Sequence, residues 1–208
     1  MPLVDIHMAS VAVPIPCDIT RLLAEAERRI VRFQAEYVVP GFVASNYVAA
    51  FGVLQTLADS NLSRGSQFCE WGSGLGVVTC LAAMLGFDAC GIEVEESLVS
   101  EARQLAEDFG LSVEFVHGSF VPRGAEDRVH ACGTYSWLTT EGDYAYEELG
   151  LDPTDMDVVF AYPWPDEEGV TGELFERYAG YGGVLATCHG GDEFRLRRKS
   201  RRVGRRHR

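Results

Sequence analysis

Apolar residues recur along this chain with two spacings, one typical of helices and one typical of buried strands. Toward the N-terminus, apolar residues at steps of three and four predict a helix from Asp18 to about Tyr37 and another from Ala44 to about Ala58. Farther along, short apolar runs alternate with helical patterns, which is typical of β-α-β units in a parallel sheet. The predicted strands are 68–70, 86–93, 113–117, 157–161 and 184–188, and the predicted helices between them are 77–85, 95–109 and 166–178.

The pattern predicts an α/β fold, specifically a Rossmann-like three-layer α/β/α sandwich with a mostly parallel central sheet. A chain of 208 residues, of which 47% are hydrophobic, is long enough to fold around one core. We expect an extended leader over residues 1–17, one domain over 18–194 and a basic tail over 195–208. Within the domain, residues 18–62 hold the N-terminal helices and residues 63–194 form the ligand-binding core.

Residues 121–156 fit neither period, because glycines and a proline interrupt each candidate pattern. In an α/β unit such an interval usually holds one helix. Its aromatic residues predict either the wall of a substrate pocket or a hydrophobic cover over the sheet edge. These aromatic residues are Tyr135, Trp137, Tyr144 and Tyr146.

Cysteine spacing and the length of apolar runs bear on metal binding and on location. The six cysteines show no C-x-x-C pairing, and the histidines do not cluster with them at ligand spacing, so we expect reduced thiols and no metal site. No apolar run reaches about 18 residues, so no membrane helix is predicted. The N-terminus also lacks the pattern of a secretion signal. We therefore expect a cytoplasmic protein that does not bind membranes.

Charge is distributed unevenly along the chain. Nine of the 18 basic residues lie in 195–208, whereas all 31 acidic residues precede them, so the body carries −22 and the tail +9. The acidic body favours a neutral or cationic partner and repels phosphate. The tail predicts either a solvated terminus that rests on the acidic surface or a contact with nucleic acid.

Residues 68–76, Phe-Cys-Glu-Trp-Gly-Ser-Gly-Leu-Gly, join a predicted strand to a predicted helix through a glycine-rich turn. The glycines let the backbone bend tightly and let a ligand approach main-chain N–H groups. A dinucleotide-binding turn would place its last glycine at Val77, but here that glycine is Gly76. The next predicted strand ends at Glu93, 17 residues after Gly76. An acid at that position can accept hydrogen bonds from both hydroxyls of a ribose.

This order, acid-x-G-x-G-x-G after a strand, resembles motif I of the class I S-adenosylmethionine (SAM) methyltransferases. The resemblance extends over about residues 42–190 and is poor at 121–156. It implies that Glu70 organises the amino end of the methionine moiety and that Glu93 holds the ribose. The alternatives are that Glu70 caps the turn that follows it and that Glu93 is a solvated loop acid. The residues implied to bind SAM are Glu70, Gly72, Ser73, Gly74, Gly76, Glu93, Gly118 and Ser119.

Two positions depart from the pattern of this family. Ser119 stands where an acid usually faces the adenine amino group, so it offers a hydrogen bond without charge assistance. In Tyr162-Pro163-Trp164, Tyr162 replaces the first proline of the Asn/Asp-Pro-Pro-aromatic sequence found in amino-methylating members, and Ala161 replaces its acid or amide. This departure argues against methylation of adenine N6 or of a glutamine amide.

The residues predicted to contact the methyl acceptor lie just after the fourth predicted strand and near the start of the second predicted helix. Tyr162 is the catalytic candidate, as a hydroxyl that polarises the acceptor. Tyr162, Pro163, Trp164 and Tyr47 are the predicted substrate-binding residues, although a tight turn with packed aromatic residues explains the first three equally well. His189 follows the fifth predicted strand and lies within reach of the site, but a lone histidine in a glycine-rich turn is usually incidental.

The resulting hypothesis is a SAM-dependent methyltransferase with an unidentified acceptor. A small molecule or a protein is favoured as acceptor, and nucleic acid remains possible through the basic tail. One alternative is a non-catalytic SAM or nucleoside binder that acts as a sensor or as a subunit of a larger enzyme. Another is a nicotinamide-dependent oxidoreductase, which the glycine spacing disfavours. Because the chain after residue 188 is short, we expect the antiparallel hairpin usual at the sheet edge to be reduced to one strand, over about 193–197.

Overall fold

The computed structural model describes residues 3–7, 14–60, 62–130, 138–140, 143–191 and 193–201. Strands and helices alternate through most of this length. The strands are β1 (Leu3–Ile6), β2 (Gln67–Trp71), β3 (Asp88–Glu93), β4 (Glu114–His117), β5 (Val158–Ala161), β6 (Val184–Cys188) and β7 (Phe194–Lys199). The helices are α1 (Cys17–Glu36), α2 (Tyr47–Asp59), α3 (Val77–Met84), α4 (Glu96–Asp108), α5 (Glu126–His130), α6 (Ala145–Leu149) and α7 (Glu168–Tyr178).

The seven strands of the described residues form one sheet in the order β1-β7-β6-β5-β2-β3-β4. The strands β2 to β6 are parallel to their neighbours, whereas β7 is antiparallel to both β6 and β1. The chain moves outward from β2 to β4 and then returns to place β5 on the other side of β2. This arrangement confirms the predicted Rossmann-like, mostly parallel sheet and puts its topological switch point between β2 and β5.

Helices cover both faces of the sheet. Alternate residues of a strand point to opposite faces, so Phe68 packs in the hydrophobic layer with α1 to α4. Its neighbour Cys69 packs in the layer with α5 to α7. Because both faces are covered, β5 and β6 are buried at every position and read as continuous apolar runs. The three-layer sandwich predicted from the sequence is therefore confirmed.

The antiparallel edge of the sheet differs from the expectation. Leu3–Ile6, which we placed in an extended leader, pair with β7 from Leu3 opposite Lys199 to Ile6 opposite Leu196. The expectation of a single strand at this edge is therefore wrong, because the N-terminus supplies the second antiparallel strand. A four-residue edge strand with two exposed central residues carries too little apolar pattern to be recognised from sequence.

The basic segment also begins inside the sheet. Four of its cationic residues belong to β7, and Lys199 donates hydrogen bonds to the carbonyls of Arg177 and Ala179 at the end of α7. In β7, Phe194 lies beside Cys188 at the carboxyl end of β6, and Arg198 lies beside Val184 at its amino end. The chain therefore leaves β7 at the amino edge of the parallel strands. Residues 202–208 lie outside the described part of the chain.

The interval 121–156 holds the two short helices α5 and α6. Tyr146 is fully buried in α6 and its hydroxyl accepts the indole N–H of Trp71 at 2.7 Å, so it belongs to the cover over the sheet. Tyr144 is half-buried beside the Arg123 guanidinium, which lies 5.2 Å from its ring centre. Tyr135 and Trp137 lie outside the described residues. In the described residues no helix combines the length and apolar character that crossing a membrane requires.

Candidate functional site

A cleft of about 870 Å³ opens at the carboxyl ends of the parallel strands, above the switch point between β2 and β5. The ends of β2, β3 and β5 line it together with three connecting segments. These segments are 39–47 before α2, 138–140, and 161–165 after β5. Open α/β sheets bind their ligands at this place, so the cleft is the candidate site.

Most of the predicted site residues line this cleft, and two do not. Gly76 and Gly118 are absent from its lining. A Cβ at Gly76 would overlap the Phe115 ring, and one at Gly118 would lie 2.5 Å from the Asp143 carbonyl oxygen, so both glycines serve close packing. The predicted residues that do line the cleft are Tyr47, Glu70, Gly72, Ser73, Gly74, Glu93, Ser119, Tyr162, Pro163 and Trp164.

The glycine-rich turn is left-handed at alternate residues. Gly72, Gly74 and Gly76 have φ values of 73°, 52° and 72°, which only glycine adopts without strain. The N–H groups of Gly72 and Ser73 donate to the Ile92 carbonyl at 2.9 and 3.0 Å, so the turn is held against the end of β3. A Cβ at Gly72 would meet no atom within 4 Å. Gly72 therefore leaves open space at the cleft for a close approach to the backbone.

Glu93, at the end of β3, is 8% exposed and holds the turn through its side chain. Its Oε2 accepts the Gly74 N–H at 2.8 Å, and its Oε1 accepts the N–H groups of Val94 at 2.7 Å and Glu95 at 3.1 Å. Burial raises the pKa of Glu93, while these three donors lower it. Because a carboxylate offers about four acceptor positions, about one remains for a ligand in this arrangement.

Glu70 lies one residue before the end of β2 and is 5% exposed. Its Oε2 accepts both the N–H and the hydroxyl of Thr79, at 2.9 and 2.6 Å, in the first turns of α3. The pKa of Glu70 is raised to about 8, because burial and, to a lesser extent, the charge of Glu93 raise it by more than the Thr79 hydrogen bonds lower it. Glu70 therefore binds the start of the following helix, as the capping alternative proposed, and also lines the cleft.

The two predicted serines of the cleft differ in the hydrogen bonds that their hydroxyls form. Ser73 is 5% exposed, and its hydroxyl has no hydrogen-bond partner among the described residues. Ser119 donates to the Thr139 carbonyl at 2.6 Å and accepts the Val121 N–H at 3.1 Å. It thereby ties the end of β4 to the segment 138–140. One of its two lone pairs remains, which is compatible with the predicted contact to an amino group.

The aromatic residues predicted to bind the substrate all line the cleft. Tyr162 is half-buried, and burial, followed by the nearby Cys188, raises its pKa. Burial, followed by the charge of Glu70, also raises the pKa of Tyr47. Trp164 is 37% exposed, and its indole N–H donates to the Gly41 carbonyl at 3.3 Å. This bond joins the turn after β5 to the segment that precedes α2.

Glu167 is a cleft residue that lies near the start of the helix predicted over 166–178 and was not among the predicted site residues. It is 5% exposed, and its carboxylate accepts the N–H groups of Leu138 at 3.2 Å and Trp164 at 3.3 Å. The sequence signal was ambiguous, because three consecutive acids at a helix start are usually solvated. Other lining residues without a sequence signal are Phe120, Leu138, Thr139, Thr140 and Thr171.

His189 does not line the cleft. Its Nε2 lies 2.8 Å from the Thr187 hydroxyl and its Nδ1 lies 2.7 Å from Glu168 Oε1. The contact with His189 lowers the pKa of Glu168. The histidine therefore connects β6 to α7.

Solved structures of two methyltransferases are similar to this chain. The O-methyltransferase from Bacillus cereus in complex with SAH (S-adenosyl-L-homocysteine) is 18% identical to this chain. The TM-score is 0.52, and the match covers 85% of this chain and 68% of the O-methyltransferase. The RNA methyltransferase from Salinibacter ruber in complex with S-adenosyl-L-homocysteine (SAH) is 18% identical, with a TM-score of 0.52 over 79% of this chain and 97% of that one.

No protein-family model and no curated protein sequence matches this chain. Likeness at this level of identity establishes architecture. The fold that the glycine motif predicted is therefore confirmed: the chain has the Rossmann-like fold of these two methyltransferases.

Proposed function

We propose that this protein is a SAM-dependent methyltransferase that binds its cofactor across the carboxyl ends of β2, β3 and β4. One observation carries the proposal: Glu70, residues 72–74 of the glycine turn and Glu93 converge on one cleft at the switch point of the sheet. The two methyltransferases of the same fold, both in complex with SAH, support the choice of cofactor.

The chemistry of these residues fits SAM. The cofactor carries a positive ammonium and a positive sulfonium, and a cation beside Glu70 offsets the cost of burying its carboxylate. The Ser73 hydroxyl gains a partner when a polar ligand enters, which removes the cost of a buried unsatisfied group. Gly72 leaves room for the ligand to approach the backbone, and Glu93 and Ser119 retain acceptor capacity for ribose and adenine.

The acceptor side supplies alignment and shelter from water. When bound, SAM supplies a methyl group that its sulfonium activates for transfer. The chain then has to hold the acceptor in line and keep water away. The aromatic residues Tyr47, Tyr162 and Trp164, with Pro163, provide such a wall. Tyr162 is the proposed catalytic residue, because its phenol lies at the end of β5 and can donate a hydrogen bond to the acceptor.

A small molecule or a protein fits this cleft better than nucleic acid. Lys199 and Arg201 lie at the amino edge of the parallel strands, about 13–17 Å of strand length from the carboxyl edge that carries the cleft. Apart from two tyrosines, the ionisable side chains that line the cleft are glutamates, and ionised glutamates repel phosphate. The unpaired cysteines among the described residues support the proposed cytoplasmic location.

A non-catalytic SAM-binding protein is the second candidate. The observation in its favour is Ala161, which gives the end of β5 no polar side chain for an acceptor. A bound cofactor without turnover on small amines, alcohols or proteins would favour this candidate.

The test is calorimetric titration of the protein with SAM and with SAH. We expect both to bind the wild type, Gly74→Asp to abolish binding and Glu93→Ala to weaken it. The matched control is Glu114→Gln, which alters an exposed acid at the start of β4. A folded wild type that binds neither compound would overturn the proposal.

A further inference from the structure

The segment between α1 and α2 lies directly on the residues proposed to bind the cofactor. A Cβ built at Gly74 would lie 2.9 Å from Phe42 Cε2, so the Phe42 ring packs against the glycine turn. Tyr47 and Glu70 both line the cleft, and burial, followed by the charge of Glu70, raises the pKa of Tyr47, so these two side chains lie near each other. A ligand that reaches the backbone at Gly74 therefore has to displace the Phe42 ring.

This segment has irregular backbone and an open outer face. Residues 37–46 lie between the end of α1 and the start of α2 and contain neither helix nor strand. Val38 is 93% exposed and Val43 is 49% exposed, so the outer side chains pack against little else. Segments with few buried contacts open at a lower free-energy cost than packed helices and strands do. We call residues 37–46 the lid.

A side chain from another part of the cleft wall holds the lid. The indole N–H of Trp164, in the turn after β5, donates to the Gly41 carbonyl at 3.3 Å. Gly41 has a φ of 84°, and the N–H of the next residue, Phe42, donates to the Val39 carbonyl at 3.2 Å, so the lid turns sharply here. Adjacent residues thus have different contacts: Phe42 packs on the glycine turn and Gly41 binds Trp164. Lifting the lid from the glycine turn therefore breaks the hydrogen bond to Trp164.

We infer that the lid opens to admit SAM and to release SAH, and that Trp164 is the positioning residue that holds the lid closed; this inference rests on the function proposed above. The bond from Trp164 to Gly41 joins two parts of the protein, so it stabilises the closed lid with and without ligand. Weakening the bond raises the fraction of protein with an open lid and therefore speeds both binding and release. The affinity changes little, because the free and the bound protein lose the same bond.

The experiment is stopped-flow fluorescence of SAH binding to the wild type and to Trp164→Phe. Trp71 lines the cleft and remains as a reporter in the variant. We expect the association and dissociation rate constants each to rise about threefold to tenfold, which corresponds to the loss of one hydrogen bond. The dissociation constant from calorimetry should change by less than about twofold, since the two rate constants rise together.

The matched control is Val38→Thr. Val38 is an exposed residue of the lid that does not line the cleft, so both rate constants should equal those of the wild type. A second variant, Phe42→Leu, shortens the side chain that packs on Gly74 and keeps the Gly41 carbonyl that Trp164 binds. We expect faster association of SAH with Phe42→Leu, and this result decides if Trp164→Phe does not fold.

Each outcome has a defined meaning. Unchanged rate constants in Trp164→Phe overturn the inference. Faster dissociation without faster association also overturns it, because that result indicates a lost contact with the ligand rather than a loosened lid. Failure of SAH to bind the folded wild type would overturn the proposed function itself, whereas SAH binding with unchanged rate constants in the variant overturns only the inference about the lid.

Discussion

The carboxylate of Glu93, at the end of β3, accepts the backbone N–H of Gly74 in the turn that follows β2, at 2.8 Å. The same side chain also accepts the N–H groups of Val94 and Glu95. One buried acid thus fixes the shape of the glycine turn and forms part of the cleft wall. Substitutions at this pair are therefore expected to affect folding and ligand binding together.

Glu93→Ala should lower both stability and affinity. It removes the acceptor of three backbone N–H groups, and leaving such groups unsatisfied costs about 1–3 kcal/mol of unfolding free energy. We also expect the affinity for SAH to fall by about tenfold or more. Urea unfolding and calorimetry measure the two effects. An exposed control, Glu114→Gln, should change the unfolding free energy by less than about 0.5 kcal/mol. Wild-type stability in Glu93→Ala would contradict the assigned role.

Two glycines of the turn should respond differently to alanine. Both have positive φ, so each Gly→Ala change carries a backbone cost of about 1–2 kcal/mol. At Gly76 the new Cβ also overlaps the Phe115 ring and lies 2.8 Å from Ala102 Cβ, whereas at Gly72 it meets no atom within 4 Å. Gly76→Ala should therefore be the less stable protein in urea unfolding. Gly72→Ala should fold well but bind SAH more weakly, because its methyl group faces the cleft. The opposite order of stabilities would contradict the packing described here.

Glu70 should make stability depend on pH. Burial raises its pKa from 4.5 to about 8, so the folded protein holds this proton more tightly than the unfolded chain does. Its contribution to the unfolding free energy is full below about pH 4.5 and is lost as pH rises through about 8. Glu70→Gln should remove this decline, which is on the order of a few kcal/mol. Thermal unfolding between about pH 4.5 and about pH 8 measures this decline in stability. Identical profiles of stability against pH for the wild type and Glu70→Gln would rule out the contribution of Glu70.

The same group should couple cofactor binding to proton release. A ligand ammonium beside Glu70 favours the ionised carboxylate, so the affinity for SAH should increase between about pH 6 and pH 8. Calorimetry in buffers with different ionisation enthalpies detects the released proton. In Glu70→Gln this release should disappear, apart from any contribution of Glu93. Thr79→Val removes a hydroxyl that lowers the pKa of Glu70, so it should move the transition to higher pH.

Tyr162→Phe should slow methyl transfer and leave cofactor binding unchanged. The substitution removes the one hydroxyl at the end of β5 while keeping the ring, and a positioned acid or base contributes roughly 100-fold or more to a rate. The measurement is SAH formation with a small molecule that the wild type methylates, beside SAH affinity by calorimetry. Tyr181→Phe, at the opposite edge of the sheet, serves as the control. An unchanged turnover number would remove Tyr162 from the catalytic role.

Removal of residues 202–208 tests the link to nucleic acid. The deletion must stop there, because residues 195–199 belong to β7 and their loss would break the sheet. We expect this variant to keep its stability, its SAH affinity and its activity on a small acceptor. Lost activity on RNA, together with a flatter salt dependence, would instead support a nucleic-acid acceptor. Full-length protein in the same assays provides the comparison.

Local sequence was enough to predict the central sheet and the part of the cleft wall that the glycine turn and Glu93 form. The strands β2 to β6 are short apolar runs because both their faces are covered, and such runs are visible without knowing their neighbours. The glycine turn and Glu93 were found for a similar reason. Their spacing along one β-α-β unit fixes where they meet, so Gly72, Gly74 and Glu93 could be placed on one cleft before the structure was known.

Tertiary structure alone decided which residues close the sheet and complete the cleft. β1 forms because it pairs with the edge of β7, which lies almost 200 residues later in the sequence. A four-residue segment is too short for its apolar pattern to indicate such a distant partner. Glu167 is buried, and the backbone of Leu138 and of Trp164 donates to its carboxylate, although its sequence is that of a solvated helix start. At Gly118 a side chain is excluded by Asp143 on another segment, because a Cβ there would lie 2.5 Å from the Asp143 carbonyl oxygen. Contacts between distant segments leave no local pattern, and in this protein they complete the wall of the cleft.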